Sequence, residues 1–427
     1  MINPSTGPSS TVNRWVIAIA AFLMQLALGS VYSWSVYLNS VSKLYHVTKL
    51  QANLTFSIVL LALGITAGFG GYLNNRFGPR VIATAGGILY GLGVFLAGFV
   101  APNITLLYLT FGVLGGIGVG LAYIVPLAIL IKWFPDRRGF ITGLAVAGFG
   151  AGAAITSPTA ANFLLPTFGL NLTFIYLGLV YLVVVVLAAQ FYRTAPDGYA
   201  PAGWTPAVQQ RAARVARDYT LGEALRIPRW YLLWLMLALN VTAGAALISV
   251  ASPLAQTFTH VTAGVAAVLV ITISIFNGAG RLFWGWVSDA IGRPFVFLIM
   301  FVIQIIVFAL MPSISIFALL LIPAAIVGLC YGGGFGTMPA FAADFFGPKN
   351  AGTIYGAMLT AWSAGGIVGP ILITSFGTTK NPDYATPLYI IAVIMLLSAA
   401  LPLIVRALAR RRGDVVEEAP ARAGAGQ

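Results

Sequence analysis

The sequence predicts an all-α integral membrane protein with twelve transmembrane helices in two pseudo-symmetric six-helix bundles. Of its 427 residues, 59% are hydrophobic and only 8% are charged, a balance outside the range of soluble globular domains. Apolar runs long enough to cross a bilayer recur about twelve times. They lie at residues 15–38, 52–73, 81–100, 105–132, 140–164, 173–192, 230–257, 263–286, 294–311, 315–340, 352–375 and 385–408.

A net charge of +13 would suit nucleic-acid binding, but the positions of the charges indicate membrane topology instead. Successive connections between the runs must lie on alternate sides of the membrane. With this assignment, 19 of the 23 Lys and Arg residues lie on the same side as the two termini. Lys43, Lys49 and Lys380 fall on the other side, and Arg281 lies within a run. The positive-inside rule then predicts a multi-pass protein of the plasma (inner) membrane with cytoplasmic termini. We expect contact with lipid headgroups and no nucleic-acid partner.

Two halves of the sequence repeat each other in the same orientation. Residues 71–80, after the second run, match residues 285–293, after the eighth, at an offset of 214. Pro126 and Pro339 pair at an offset of 213. A near-constant offset indicates a duplicated unit of six spans. The expected domains are a cytoplasmic leader (1–14), an N-terminal bundle (15–192), a cytoplasmic linker (193–229) with a surface helix near 207–217, a C-terminal bundle (230–408) and a disordered tail (409–427).

The reactive side chains argue against an enzyme or a metal protein. Cys330, the single cysteine, lies inside an apolar run, which excludes a disulfide or a thiolate metal cluster within one chain. The two histidines, His46 and His260, are far apart, and no acidic residue lies deep in a run. A membrane enzyme would need a nucleophile with a base, or a metal cluster. We therefore expect no catalysis, no metal and no cofactor.

Arg281 is a charged residue deep inside an otherwise apolar run. Asp289 and Arg293 belong to a polar turn at the membrane surface, and Arg281 lies eight residues earlier. At 1.5 Å per helical residue it lies about 12 Å deep, close to the centre of a roughly 30 Å hydrocarbon core. A charge at that depth costs several kcal/mol unless it faces a cavity or a partner, which predicts a functional residue. The alternative is a side chain that reaches the surface past Trp284 and Trp286.

The turns after the second and eighth runs carry a recognisable motif. The first copy reads Gly-x-Leu-x-Asn-Arg-x-Gly-x-Arg, and the chain resembles the major facilitator superfamily over residues 15–412. The resemblance implies the major facilitator fold and a motif that ties neighbouring helices at the cytoplasmic gate. The first copy has Asn74 and Asn75 where the family usually has an aspartate, so we expect the tie to depend more on the second copy. The gate residues are Arg76, Gly78, Arg80, Asp289 and Arg293.

Within that superfamily, the chain is most similar to the oxalate/formate antiporter and monocarboxylate transporter group. Four stretches carry this resemblance: Asn-Pro-x-Thr-Gly at 3–7, Tyr-Ser-Trp at 32–34, Lys-Trp-Phe-Pro-Asp-Arg-Arg-Gly at 132–139, and Asn-Gly-x-x-Arg at 277–281. The antiporters exchange a dicarboxylate for formate, whereas the monocarboxylate transporters carry substrate together with a proton. The chain looks like a bacterial proton-coupled transporter of the second kind, and we expect a monomer.

The resemblance also implies a substrate site. Arg281 matches the arginine that binds the substrate carboxylate in this group, and its planar fork suits both carboxylate oxygens. Asn277 lies one turn earlier on the same helical face, where it can donate to the substrate or, alternatively, bridge two helices. Wall candidates come from spans that line the cavity in this superfamily, and packing is the alternative role of each. They are Leu28, Tyr32, Tyr123, Tyr331, Phe335 and Trp362.

Trp362 distinguishes the two kinds of transporter. Oxalate antiporters carry a lysine at its position, which gives two cations for a dianion, whereas this chain has one. A dianion would leave one buried negative charge unpaired, at a cost of several kcal/mol. We therefore expect proton-coupled symport of a small monocarboxylate such as lactate, pyruvate or formate by alternating access. A carboxylate antiporter is the main alternative, and a non-transporting carboxylate sensor is a more distant one.

The proton carrier is harder to predict. His260, near the outer end of the seventh run, has a suitable intrinsic pKa, although such a histidine is often simply exposed. Asp344, toward the inner end of the tenth run, is a second candidate, with pairing to a nearby basic group as its alternative role. Both are retained as candidate coupling residues.

Overall fold

The computed structural model describes residues 13–196, 199, 201, 218–347, 349–378 and 381–411, and nearly all of them are helical. In these ranges, 11 helices are long and apolar enough to cross a membrane. One of them, Gly143–Gln190, contains two crossings, because Gly169 has a φ of 71° and a ψ of 179° and interrupts the helix. The predicted twelve membrane helices are therefore confirmed.

Most of these helices extend a few residues beyond the apolar runs that predicted them. They are α1 (Arg14–Leu44), α2 (Lys49–Phe77), α3 (Pro79–Ala97), α4 (Ile104–Trp133), α5 (138–168), α6 (170–190), α7 (Pro228–Thr259), α8 (Ala263–Ile291), α9 (Arg293–Ser313), α10 (Phe317–Phe346), α11 (Ala351–Thr374) and α12 (Ala385–Leu408).

The leader motif at 3–7, the surface helix expected near 207–217 and the tail beyond 411 lie outside the described residues. The end of the linker packs on the connection between α10 and α11. The Tyr219 N–H donates to the Phe346 carbonyl at 2.9 Å, and Asn350 Nδ2 donates to the Tyr219 carbonyl at 2.8 Å. The end of the linker at Tyr219 is therefore attached to the second bundle at the face where α1 begins and α12 ends, which we call the terminal face.

The two copies of the repeated motif form the same turn. Gly78, between α2 and α3, has a φ of 85°, and Gly292, between α8 and α9, has a φ of 87°. Both dihedrals lie where a Cβ would be strained, so glycine is required at each turn. The repeat detected in the sequence is thus a repeat of backbone conformation.

The ion pairs of this motif lie in its second copy. Arg293 pairs with Asp289 at 2.5 Å and with Asp344, on α10, at 3.1 Å. Among the described residues, Arg76 and Arg80 form no ion pair, and Arg76 contacts the Tyr72 hydroxyl at 3.5 Å and the Phe77 ring at 5.3 Å. The turn after α8 is therefore tied electrostatically to α10, and Asp344 is part of that tie at the terminal face.

The two bundles meet along three helix pairs: α2 with α11, α5 with α8, and the second half of α1 with α7. Within the second bundle, glycines bring α10 against the backbone of α8. A Cβ at Gly332 would overlap the Asn277 carbonyl, and a Cβ at Gly336 would overlap the Arg281 carbonyl. These glycines permit the close approach that sets α8 deep between its neighbours.

Asp136, in the connection between α4 and α5, is expected to stabilise the fold at neutral pH. Its carboxylate accepts hydrogen bonds from Arg14 at 2.6 and 3.1 Å. Partial burial raises the pKa of Asp136, but the Arg14 hydrogen bond, a backbone hydrogen bond and the charges of Arg14 and Arg137 outweigh it and lower the pKa below its usual value of 3.8.

A lowered pKa stabilises the fold above the unfolded-state pKa, and this contribution is lost as the pH falls through the folded-state value. Asp136→Asn should therefore lower the Tm by about 1–2 °C at pH 7, the size expected of a partly exposed ion pair. In a thermal-shift series, the difference from wild type should shrink as the pH falls below 3.8 and through the lowered pKa of Asp136. A difference that is independent of pH would contradict this origin.

Candidate functional site

Arg281 lies on α8 and is only 2% exposed to solvent. Its Nη1 donates to the Tyr123 hydroxyl at 3.4 Å and its Nε to Asn277 Oδ1 at 3.5 Å, both long for hydrogen bonds. Nη2 is buried without a hydrogen-bond partner. No carboxylate in the described part of the chain forms an ion pair with Arg281. A buried cation with an unused donor is costly unless an anion binds it, so this position is a candidate anion site.

Two phenylalanine rings flank this guanidinium group. Arg281 Cζ lies 5.0 Å from the ring centroid of Phe335, on α10, and 5.5 Å from that of Phe149, on α5. Cation–π attraction at desolvated sites of this kind contributes about 1–2 kcal/mol. It orients the guanidinium group without neutralising its charge. Because Phe149 and Phe335 come from different bundles, the arginine is held at the interface between them.

A hydrogen-bonded aromatic group completes the surroundings of the arginine. The hydroxyls of Tyr32, on α1, and Tyr331, on α10, lie 2.9 Å apart, and Trp362 Nε1, on α11, donates to Tyr331 at 3.0 Å. The Trp362 ring packs on Phe335 at 4.4 Å and on Tyr123 at 5.3 Å. The structure thus gathers, from both bundles, Arg281, Asn277, Tyr32, Tyr123, Tyr331, Phe335 and Trp362.

A small cavity of about 10 Å³ adjoins this group on the side away from the terminal face, with room for about one water molecule. Asn277 lines it, and the Nδ2 of that residue is buried without a hydrogen-bond partner. The cavity is therefore lined by a residue with an unused donor, Asn277 Nδ2, and that residue lies one helical turn before Arg281. Its other lining residues are Tyr32, Ala153, Ile248, Ala251, Val270, Ile273 and Ser274.

Three predicted residues lie apart from these contacts. Leu28 is fully buried on α1, four residues before Tyr32. His260 is exposed at the end of α7 opposite the terminal face, where it ends the helix in a left-handed conformation with a φ of 53°. Asp344 pairs with Arg293 at the terminal face. The two candidate coupling residues are therefore at opposite ends of the molecule from each other, and Arg281 lies between them.

Phe149 was not predicted from the sequence. It lies near the middle of α5 and is fully buried. An aromatic residue at that depth was the available signal. Its contact with Arg281 depends on how α5 packs against α8, which the local sequence does not determine.

The chemistry that this arrangement can support is recognition of an anion. The residues around Arg281 supply hydrogen-bond donors and apolar rings, and no general base or carboxylate is among them. In the described part of the chain, no group of three or more His, Cys, Asp or Glu side chains could hold a metal ion. A small anion would satisfy Nη2 of Arg281, and an apolar remainder on that anion would suit the neighbouring rings.

Comparison with known proteins identifies close relatives. The chain is 33% identical to the uncharacterised MFS-type transporter YhjX of Escherichia coli (strain K12), over 83% of this chain and 86% of that protein. It is 31% identical to the oxalate:formate antiporter of Oxalobacter formigenes, over 88% and 90% of the two chains. It is 26% identical to the apicoplast pyruvate carrier 1 of Toxoplasma gondii, over 80% of each.

The fold has counterparts among solved structures. A bacterial homologue of the human lysosomal transporter Spinster, in an inward-facing and occupied conformation, matches with a TM-score of 0.71 over 97% of this chain and all of that one, at 14% sequence identity. The family profile of the Major Facilitator Superfamily matches residues 14–258 and 233–425. The chain therefore belongs to the Major Facilitator Superfamily, in the group that includes oxalate:formate antiporters and monocarboxylate transporters.

Proposed function

We propose that this transporter carries a small monocarboxylate together with a proton, and that Arg281 binds the substrate carboxylate. The observation that carries the proposal is the buried guanidinium group with an unpartnered Nη2 and no ion-paired carboxylate in the described residues. A carboxylate would supply both the missing acceptor and the missing negative charge.

The charge of the site favours a monoanion. Arg281 is the buried cation among the described residues around the site, and the position of the antiporter lysine is occupied by Trp362, which is fully buried. One carboxylate on one guanidinium group gives a neutral pair, whereas a dianion would retain a buried negative charge. Lactate, pyruvate and formate fit this requirement, and the pyruvate carrier among the relatives supports it.

Proton coupling requires a group that loads a proton on one side of the membrane. The described acidic residues lie at helix ends or in connections, so we assign no carboxylate in the middle of a membrane helix to this role. His260 is an imidazole exposed at the end of α7, on the face opposite the terminal face, so it is the proposed loading group. Asp344 and Arg293, at the other face, are the proposed release-side pair.

The proposed cycle is alternating access by a monomer in the plasma (inner) membrane, with both termini in the cytoplasm. The terminal face is then the cytoplasmic face, and the domain boundaries expected from the sequence define the two moving bundles. A loaded site is electrically neutral and can change state, whereas the empty site keeps an unpaired Arg281 and returns less easily.

Carboxylate exchange is the second candidate, because a relative that matches along nine-tenths of its own length is an oxalate:formate antiporter. The two functions separate in proteoliposomes that contain the purified protein. Labelled lactate, formate or oxalate is added outside the proteoliposomes, and its uptake is measured with either an inward proton gradient or an unlabelled counter-anion inside. Symport predicts accumulation of lactate or formate with the proton gradient alone. Uptake that requires an internal anion at every pH would overturn symport and favour exchange.

Asn277→Asp should weaken monocarboxylate uptake. The Arg281 Nε already points to Asn277 Oδ1 at 3.5 Å, so a carboxylate there would pair with the guanidinium group and compete with the substrate. We expect KM to rise at least about tenfold at pH 7, the effect of about 1.4 kcal/mol lost from binding. Asn277→Ala, which adds no charge, is the matched control for loss of the amide. Equal KM values for the two variants would contradict competition by charge.

A further inference from the structure

We propose that Ser274 is a positioning residue that sets Phe149 against Arg281 by joining α8 to the backbone of α5. Ser274 lies on α8, seven residues before Arg281, and is 2% exposed. Its hydroxyl donates to the Gly150 carbonyl at 2.8 Å and accepts from the Ala154 N–H at 3.1 Å. The Ser274 side chain of the second bundle thus bonds to one backbone acceptor, the Gly150 carbonyl, and one backbone donor, the Ala154 N–H, of the first bundle.

These two backbone groups are the ones that pair with each other in an uninterrupted helix. An α-helix bonds each N–H to the carbonyl four residues earlier, so the Ala154 N–H would donate to Gly150. Here the helix is interrupted at Gly152, and both groups bond to the Ser274 hydroxyl. A side chain inserted into the hydrogen-bond ladder is a recognised cause of a helix bend. The Ser274 hydroxyl therefore supplies hydrogen bonds that replace the missing one within α5.

Other features of α5 make this attachment important. The Gly152 N–H reaches only the Phe149 carbonyl, at 3.4 Å, a long hydrogen bond. Pro158 has no N–H to offer to the Ala154 carbonyl. The backbone between residues 149 and 158 is thus weakly bonded within its own helix, and the serine supplies part of what is missing.

The two helices are close enough for so short a side chain to act. A Cβ at Gly150 would lie 2.6 Å from the Gly278 nitrogen, and a Cβ at Gly278 would lie 2.8 Å from the Ala147 carbonyl oxygen. The backbones of α5 and α8 are therefore in direct contact beside Ser274. Since the two helices belong to different bundles, this contact sets their relative position, in this conformation, near the middle of both helices.

Phe149 transmits this position to the substrate site. It directly precedes Gly150, and its ring lies 5.5 Å from the Arg281 guanidinium carbon, 5.0 Å from the Tyr123 ring and 5.5 Å from the Trp362 ring. A shift of the α5 backbone at Gly150 moves this ring and so changes the surface on which the anion binds. This inference rests on the proposed function, because its effect on uptake presupposes an anion at Arg281.

Thr272 provides a matched control on the same helix. Its hydroxyl donates to the Val268 carbonyl at 2.9 Å, within α8 itself. Thr272→Ala removes a hydroxyl of the same kind, two residues from Ser274, without affecting the link to α5. Ser274→Thr keeps the hydroxyl, and its added methyl group has room because Ser274 lines the small cavity beside Asn277. Ser274→Val has the shape of the threonine variant but no hydroxyl.

The uptake experiment compares these variants in proteoliposomes with labelled lactate. We expect Ser274→Val and Ser274→Ala to raise KM about tenfold, as for a lost buried hydrogen bond that orients the site. Ser274→Thr should stay within about threefold of wild type, and Thr272→Ala within about twofold. In a Phe149→Ala background, Ser274→Val should change KM by less than about twofold, because the residue it acts through is gone. If the factors by which Ser274→Val and Phe149→Ala each change KM multiply in the double variant, the two residues act independently and the proposal is overturned.

Hydrogen–deuterium exchange tests the bond itself without any substrate. Peptides that cover residues 150–156 should exchange about tenfold faster in Ser274→Val than in Ser274→Thr. Unchanged exchange would overturn the proposed link. Faster exchange in Ser274→Val, together with full lactate uptake by Arg281→Ala, would overturn the proposed function and leave the Ser274 link standing. If Ser274→Ala does not fold, the comparison of Ser274→Val with Ser274→Thr still tests the proposal.

Discussion

Replacement of Arg281 by alanine is expected to lower kcat/KM for monocarboxylate uptake by about 100- to 1,000-fold, the effect of losing one partner of a buried, hydrogen-bonded charge pair. The structure predicts so large an effect because no other cation contacts the site among the described residues. The measurement is the initial rate of labelled lactate or formate uptake into proteoliposomes as a function of concentration.

Two further arginine variants make the result specific. Arg281→Lys keeps the charge and loses the planar fork, so we expect an intermediate loss of about 10- to 100-fold. Arg226, exposed in the connection before α7, is the matched control, and Arg226→Ala should stay within about twofold of wild type. Wild-type uptake by Arg281→Ala would remove the central residue of the proposed site.

Trp362→Lys is expected to change which anion is carried. The Trp362 ring packs on Phe335 at 4.4 Å and on Phe149 at 5.5 Å, the two rings that flank the Arg281 guanidinium group. A lysine there would place a second cation beside the first. We expect oxalate uptake to appear and lactate uptake to fall more than about tenfold, because a monoanion would leave one buried positive charge unpaired.

Trp362→Phe separates charge from shape in this experiment. It removes the hydrogen bond that Trp362 Nε1 donates to Tyr331 at 3.0 Å but adds no charge. We expect it to reduce lactate uptake by at most about tenfold and to carry no oxalate. Thermal-shift measurements should also find that oxalate stabilises Trp362→Lys and leaves wild type unchanged. Oxalate uptake by wild type equal to that of the lysine variant would contradict the charge argument.

The sequence predicted correctly those features that follow from the requirements of a bilayer or from local backbone conformation. A bilayer requires long apolar helices, so composition and run length were sufficient for the twelve crossings. The repeated turns were predicted from the matching stretches 71–80 and 285–293, and Gly78 and Gly292 give both turns the same positive φ. The burial of Arg281 followed from counting helical residues back from the surface turn that contains Asp289.

Features that required the tertiary structure are contacts between helices distant in sequence. Phe149 contacts Arg281 across 132 positions of the chain, and the Tyr32 and Tyr331 hydroxyls meet across 299. Their meeting depends on the rotation of each helix and on the close approach that small residues such as Gly150 allow.

The sequence by itself determined the class of protein, the number of spans and the presence of a charge inside an apolar helix, because each follows from the local fit of residues to a bilayer. The tertiary structure alone decided which rings flank Arg281, that its Nη2 lacks a partner, and that Ser274 joins the two bundles. The physical reason is that side-chain contacts between helices are set by how whole helices pack, and no local pattern of residues specifies that packing.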